Sequence, residues 1–191
     1  MERIKKFMTF KRETVEETIN DTSSTLFPVF LIVISIVLGV MQTLLGNLIT
    51  PDIIEWIISY FGGATPSVLR IILDAIMNNV IFPILVIIFT FYIGNAIKGE
   101  ADSLNHVVRA LGYSLPPLII GTGISFLALI PHIAVFILVG LVIAACAIWF
   151  AIILIYALMI TFKKGALTGI IAVLLAALVA GIATSWTTFI P

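Results

Sequence analysis

Cysteine, histidine and charged side chains are all scarce in this sequence of 191 residues. It contains one cysteine and two histidines, and only 10% of its residues are charged, whereas about 25% are charged in a typical soluble domain. The lone cysteine, Cys146, excludes a disulfide within the chain, and no cluster of residues has metal-ligand spacing. We therefore expect no disulfide framework, no metal site and no cofactor.

Enzyme signatures are missing as well. The sequence has no HExxH, GxSxG, P-loop or GxGxxG motif, which argues against an intramembrane protease or a nucleotide-binding enzyme. The longest expected linkers, around 52–66 and 98–112, are too short for a separate catalytic domain. An enzyme acting on lipids would need at least two convergent ionisable groups at one membrane depth, and only Arg70 and Asp74 are candidates. We predict that the protein is not an enzyme.

Apolar residues make up most of the chain: 61% are hydrophobic, and the mean hydropathy is +1.25. A membrane-spanning helix needs about 20 mostly apolar residues, because the hydrocarbon core is about 30 Å thick and each helical residue rises about 1.5 Å. Five stretches qualify: Leu26 to Gly46, Val68 to Gly94, Tyr113 to Ile130, Ile133 to Phe162 and Ala166 to Phe189. The fold class that they predict is an all-α integral membrane bundle of about five transmembrane helices.

The positive charges predict the orientation of this bundle. Short cytoplasmic segments carry an excess of lysine and arginine, and nine of the ten such residues fall before the first stretch or in the loops after the second and the fourth: Arg3, Lys5, Lys6, Lys11, Arg12, Lys98, Arg109, Lys163 and Lys164. Only Arg70 falls on the other side. We therefore expect a multi-pass protein of the cell membrane with its N-terminus in the cytoplasm and its C-terminus outside.

Two segments outside the spans have amphipathic or aromatic character. Residues 1–25 form a cytoplasmic lead-in before a single membrane domain, 26–191. In this lead-in, Ile4, Phe7, Met8, Val15 and Ile19 recur at helical spacing, so it either lies on an anionic leaflet or is a solvated basic segment that sets the topology. Segment 52–61 is apolar but too short to cross the membrane, which indicates an interfacial or re-entrant position.

The second span contains the residues of the chain that cost most to bury in a membrane: Asp74, Asn78 and Asn79. Arg70, Asp74 and Asn78 are spaced i, i+4, i+8 and Asn79 follows, so a helix would stack them as a polar ridge. Ionisable residues inside a span mark functional sites by default. One interpretation is a site that lines a cavity or binds a partner. The other is that Asp74 pairs with Arg70 near the interface while the asparagines bond to other helices.

Two further patterns concern helix shape and packing. Pro116 and Pro117 remove two backbone donors at the start of the third span, which indicates a break that could line a pathway or simply an ordinary helix start. The fifth span carries a GxxxG pair followed by more small residues, which predicts a closely packed face: Gly165, Gly169, Ala176 and Ala180. Its partner is either another helix of the same chain or a second copy.

The order of these features is similar to that of a known family. The segment FYIGNAIKGEADSLNHVVRALGYSLPPLIIG, residues 91–121, resembles the central signature of the Yip1 family, and its Gly-Tyr and proline element is Gly112, Tyr113, Pro116 and Pro117. The resemblance implies a five-span membrane protein. Eukaryotic members of that family act in vesicle traffic and bind Rab-type GTPases. Because this chain is short and resembles prokaryotic members, we do not expect it to bind such a GTPase.

Together, the residues and the resemblance predict a non-enzymatic membrane scaffold that engages lipid or protein partners. The expected partners are membrane lipids, other membrane proteins or a second copy of the chain. No nucleic acid is expected. The alternative is a small transporter or channel that uses the polar ridge of the second span, Arg70, Asp74, Asn78 and Asn79, to line a path.

Overall fold

The computed structural model describes residues 12–21, 25–49, 68–97, 99–129 and 133–185, and the regular structure in these ranges is entirely helical. The helices are α1 (Arg12–Asn20), α2 (Leu26–Ile49), α3 (Val68–Ile76), α4 (Phe82–Ala96), α5 (Leu104–Ser114), α6 (Pro116–Ser125), α7 (Ile133–Thr161) and α8 (Ala166–Thr184). A π-helical turn, Met77–Ile81, joins α3 to α4, and a 3-10 turn, Phe126–Leu129, extends α6. The predicted all-α class is confirmed.

Four helical segments in these ranges are long and apolar enough to cross a membrane, and the α5–α6 pair, bent by 44°, supplies a fifth if it counts as one span. The connections indicate that it does. The Glu100 N–H, just after α4, donates to the Phe162 carbonyl, just after α7, at 3.1 Å, so α4 and α7 end together. We call this end of the bundle, with residues 99–103 and 162–165, the charged end. Because α7 starts at the opposite end, the α5–α6 pair must run the length of the bundle between them.

Helix α5 corrects one expectation. We expected a linker around 98–112, but Leu104–Ser114 is helical and its residues 109–114 are all buried. Val107, Ala110 and Leu111 follow the i, i+3, i+4 spacing of one helix face and join the main apolar core. In this core they lie with residues of α1 and α7, and α5 also packs on α2 and α4. Tertiary packing therefore stabilises a helix that is too short to be stable alone.

The second span is interrupted by the π turn at Met77–Ile81. The Phe82 N–H donates to the Met77 carbonyl, five residues back, and Pro83 follows in the first turn of α4. Proline has no N–H to donate and crowds the carbonyl four residues earlier, so a wider turn before it relieves the helix. Asn78 and Asn79 lie within this π turn.

Helix α1 corrects a second expectation. Val15 and Ile19, at 0% and 1% exposure, lie in the core cluster with residues of α5 and α7. The described part of the lead-in therefore places its apolar face on protein, neither on a leaflet nor in solvent. Residues 1–11 and the segment 52–61 lie outside the described residues.

Candidate functional site

A cavity of about 340 Å³ lies between the spans, within the size range of small-ligand pockets. Every helix from α2 to α8 except α3 contributes to its lining. Only three of its sixteen lining residues are polar, Ser35, Asn78 and Asn79, and none is charged. Such a lining is suited to hydrocarbon rather than to a hydrated ion, which needs polar ligands in place of its lost water.

Asn79 is bonded within the protein. Its amide Nδ2 donates to the Thr43 hydroxyl of α2 at 3.0 Å and to the Ala75 carbonyl at 3.1 Å. A Cβ at Gly39 would overlap the Asn79 amide, so the glycine lets the side chain approach α2 closely. The Thr43 hydroxyl in turn donates to the Gly39 carbonyl at 3.0 Å. Asn79 thus joins the first two spans, and such interhelical bonds in membrane proteins contribute about 0.6 kcal/mol on average.

Arg70 and Asp74 lie together on α3, apart from the cavity. The Arg70 Nε is 4.0 Å from the Asp74 Oδ2, and the two side chains are 32% and 34% exposed. Neither residue lines the cavity. The structure therefore divides the predicted ridge in two, with Arg70 and Asp74 paired along α3, and Asn78 and Asn79 one π turn away at the cavity.

At the charged end, Arg109 of α5 is buried, with 2% exposure. Its Nε donates to the Thr25 hydroxyl at 2.8 Å, and its Nη1 donates to the Ile19 carbonyl, in the last turn of α1, at 2.6 Å. A cation at a helix C-terminus interacts favourably with the partial negative charge of the unpaired carbonyls. Arg109 therefore fastens α1 to the bundle, although we placed it in a loop from sequence.

Asn95, at the end of α4, holds the described residues that follow Lys98, 99–103, against this helix. The Asn95 Nδ2 donates to the Ala101 carbonyl at 3.2 Å, and the Ala101 N–H donates to the Asn95 Oδ1 at 3.0 Å. Next to this pair of bonds, the buried Phe162 ring lies where a Cβ at Gly94 would be. An asparagine and a glycine next to each other were the available sequence signal for this tight turn, and we did not use it.

Two ion pairs connect this loop to the turn between α7 and α8. Lys163 Nζ is 2.9 Å from Asp102 Oδ2, and Lys164 Nζ is 2.6 Å from Glu100 Oε1. The hydrogen bond from each lysine lowers the pKa of its carboxyl partner, and the bond to Asp102 raises the pKa of Lys163. Glu100, Asp102 and Lys163 therefore stay ionised across neutral pH. Any stability they contribute would be lost only as the pH falls through the lowered carboxyl pKa values or rises through that of Lys163.

The Gly-Tyr and proline element forms the bend between α5 and α6. A Cβ at Gly112 would be 2.5 Å from Pro28 Cβ and 2.7 Å from the Pro28 carbonyl oxygen, so α5 and α2 meet here without room for a side chain. Tyr113 is buried, with its ring centroid 5.9 Å from that of Phe27. Pro116 and Pro117 occupy the first positions of α6. The break predicted at the prolines is thus present, and it coincides with a helix start.

The small-residue face of α8 lies inward along most of its length. Gly169, Ala172, Ala176, Ala180 and Thr184 are all buried, and α8 packs most extensively on α4. A Cβ at Gly169 would be 2.9 Å from the Leu158 Cβ of α7. Gly165 differs, because it is the N-cap residue and an added Cβ there would have no neighbour within 4 Å. The partners of this face in the described residues belong to the same chain.

Within the described ranges, no group of three or more histidine, cysteine, aspartate or glutamate side chains could hold a metal ion. The bundle exposes large apolar side chains along its long helices, for example Leu26, Phe136 and Leu167. Apolar surfaces of this extent are unfavourable in water and are suited to lipid, so this arrangement defines a multi-pass helical membrane protein.

The chain belongs to the Yip1 family: the family model described as Yip1 domain matches residues 5–187. The matched range includes α1, in agreement with its packing on the bundle. No curated protein and no solved structure matches the chain. The predicted family is therefore confirmed by the family model.

Proposed function

We propose that this Yip1-family protein is a non-enzymatic scaffold of the cell membrane that engages lipid or protein partners, with its charged end in the cytoplasm. Lys163, Lys164 and Arg109 lie at that end, together with Arg12 of α1. The excess of positive charge on cytoplasmic segments supports this orientation, with the N-terminus inside and the C-terminus outside.

The observation that carries the proposal is the bracing of the charged end. Arg109 holds α1, Asn95 closes the adjoining loop, and two lysine–carboxylate pairs tie that loop to the α7–α8 turn. On α1, Glu13 and Glu17 remain exposed on the side opposite its buried face. A surface whose charges are already fixed in position loses little conformational freedom when a partner binds.

Site-specific photo-crosslinking in native membranes tests this proposal. A photoreactive residue at Glu13 or Glu17 should give discrete adducts with one protein or one lipid class. The matched control is Ile137, an exposed apolar residue in the first half of α7, which should give only the heterogeneous lipid adducts of a hydrocarbon-facing site. Identical adduct patterns at the charged end and at Ile137 would contradict a partner-binding role for this surface.

The polar residues of the second span favour a scaffold over a transporter. Both amide N–H groups of Asn79 are used within the protein, and Arg70 and Asp74 lie off the cavity. We therefore expect that reconstituted liposomes show the same ion and solute flux with wild type, with Asp74→Ala and with no protein. A protein-dependent flux that Asp74→Ala abolishes would contradict the scaffold proposal and support a transporter.

A further inference from the structure

Asn78 presents an unused polar group to the cavity. Its side chain is exposed and lines the cavity, and among the described residues no side-chain hydrogen bond involves it. Inside a bilayer there is little water to satisfy such a group, so polar side chains there bond to protein or to a ligand. Its neighbour Asn79 bonds to protein, whereas the Asn78 amide is available to bond to a ligand.

The cavity has the length of one lipid leaflet. Measured from the charged end, Val173 lies seven residues into α8, a rise of about 10 Å, and Asn79 lies 17 residues before the end of α4, about 25 Å away. The lining between them extends for about 15 Å, half of the roughly 30 Å hydrocarbon core. Asn78 lies at the end of this range that is far from the charged end.

We propose that the cavity binds one acyl chain, with the oxygen-bearing end of that chain accepting a hydrogen bond from the Asn78 amide. The apolar wall matches hydrocarbon, the length matches a chain that crosses one leaflet, and the amide matches the ester or carboxyl group at the top of the chain. The inference rests on the proposed function only in that lipids are among the partners proposed there.

The lining also excludes other ligand classes. No charged side chain lines the cavity, so a free inorganic anion or metal ion would lack a counter-charge in a medium of low dielectric constant. A compact polar molecule would offer no apolar surface to most of the cavity wall, which is apolar. A chain that is apolar along its length and polar at one end satisfies both the wall and Asn78.

The test uses the full chain in liposomes that contain phosphatidylcholine with a diazirine on one acyl chain. In a second arm, the probe is a free fatty acid that carries the same diazirine. Labelled peptides are mapped by mass spectrometry. Ala177→Phe fills the cavity from α8, and Leu178→Phe is its matched control, because Leu178 is 60% exposed on the outer face of the same helix.

Wild type should be labelled on the cavity walls of α4 and α8, in one arm or both, and the arm that labels identifies the source of the chain. Labelling of these walls should fall at least about fivefold in Ala177→Phe and stay unchanged in Leu178→Phe. Asn78→Leu should lower it by about two- to tenfold, the range for one hydrogen bond. If Ala177→Phe melts at a clearly lower temperature than wild type, its loss of labelling could come from unfolding. The labelling of Asn78→Leu then decides alone whether the cavity binds an acyl chain.

Unlabelled cavity walls in both arms would overturn the inference, and so would labelling that none of the cavity variants changes. These outcomes are separate from those of the proposed function, because adducts at Glu13 and Glu17 report the charged end and do not depend on the cavity.

Discussion

Replacing Arg109 with methionine is expected to release α1 from the bundle and to lower the free energy of unfolding by about 2–4 kcal/mol, since hydrogen bonds from a charged donor contribute about 1.5–3 kcal/mol each and do not add fully. Methionine keeps most of the buried volume of the side chain. The loss therefore measures the two bonds to Thr25 and Ile19 rather than a cavity.

The release of α1 can be measured by cysteine labelling. In a Cys146→Ala background, Val15→Cys places a thiol of similar size at a position with 0% exposure. Maleimide labelling should be slow with Arg109 present and at least tenfold faster in Arg109→Met. Arg12→Met is the matched control, because Arg12 is on α1 itself but its side chain is 77% exposed. Equal labelling rates in Arg109→Met and Arg12→Met would show that Arg109 does not hold α1.

Four of the five spans were predictable because their hydrophobicity is enough to determine them. The expected starts at Leu26, Val68, Ile133 and Ala166 agree with the structure, since an apolar run of this length has few alternatives to a helix in a bilayer. The third span was predicted to start at Tyr113, nine residues after Leu104, where α5 begins. Its first half is amphipathic, with polar residues between the apolar ones, so a hydropathy criterion does not detect it.

The candidate site was less predictable because it depends on which helices meet. Sequence spacing placed Arg70, Asp74 and Asn78 on one ridge, but Asn78 lies in the π turn at Met77–Ile81 and lines the cavity, which Arg70 and Asp74 do not. Pro83 was the local sign of such a disturbance, and proline alone does not indicate a π turn rather than a kink. Arg109 was counted as a loop charge for topology, and only the packing of α1 against α5 reveals that it is buried.

The Gly-Tyr element makes the second prediction of large effect. Gly112→Ala should lower the free energy of unfolding by about 1–3 kcal/mol or more, the cost of overpacking a tight contact. The new Cβ would meet both the ring and the backbone of Pro28, at 2.5 Å and 2.7 Å. A backbone atom cannot move aside as the end of a flexible side chain can, so α5 and α2 would have to separate.

Gly123→Ala is the matched control for this prediction. Gly123 lies in α6, the other half of the same bent pair, and nothing lies within 4 Å of an added Cβ. Alanine is the better helix former by about 1 kcal/mol, so this variant should be as stable as wild type or more stable. Unfolding in mixed micelles compares the two variants directly. Equal stability of both would mean that α2 and α5 are not in close contact at Gly112. A loss confined to Gly112→Ala would mean that the glycine of the family-like element is required for helix packing, whatever partner the protein binds.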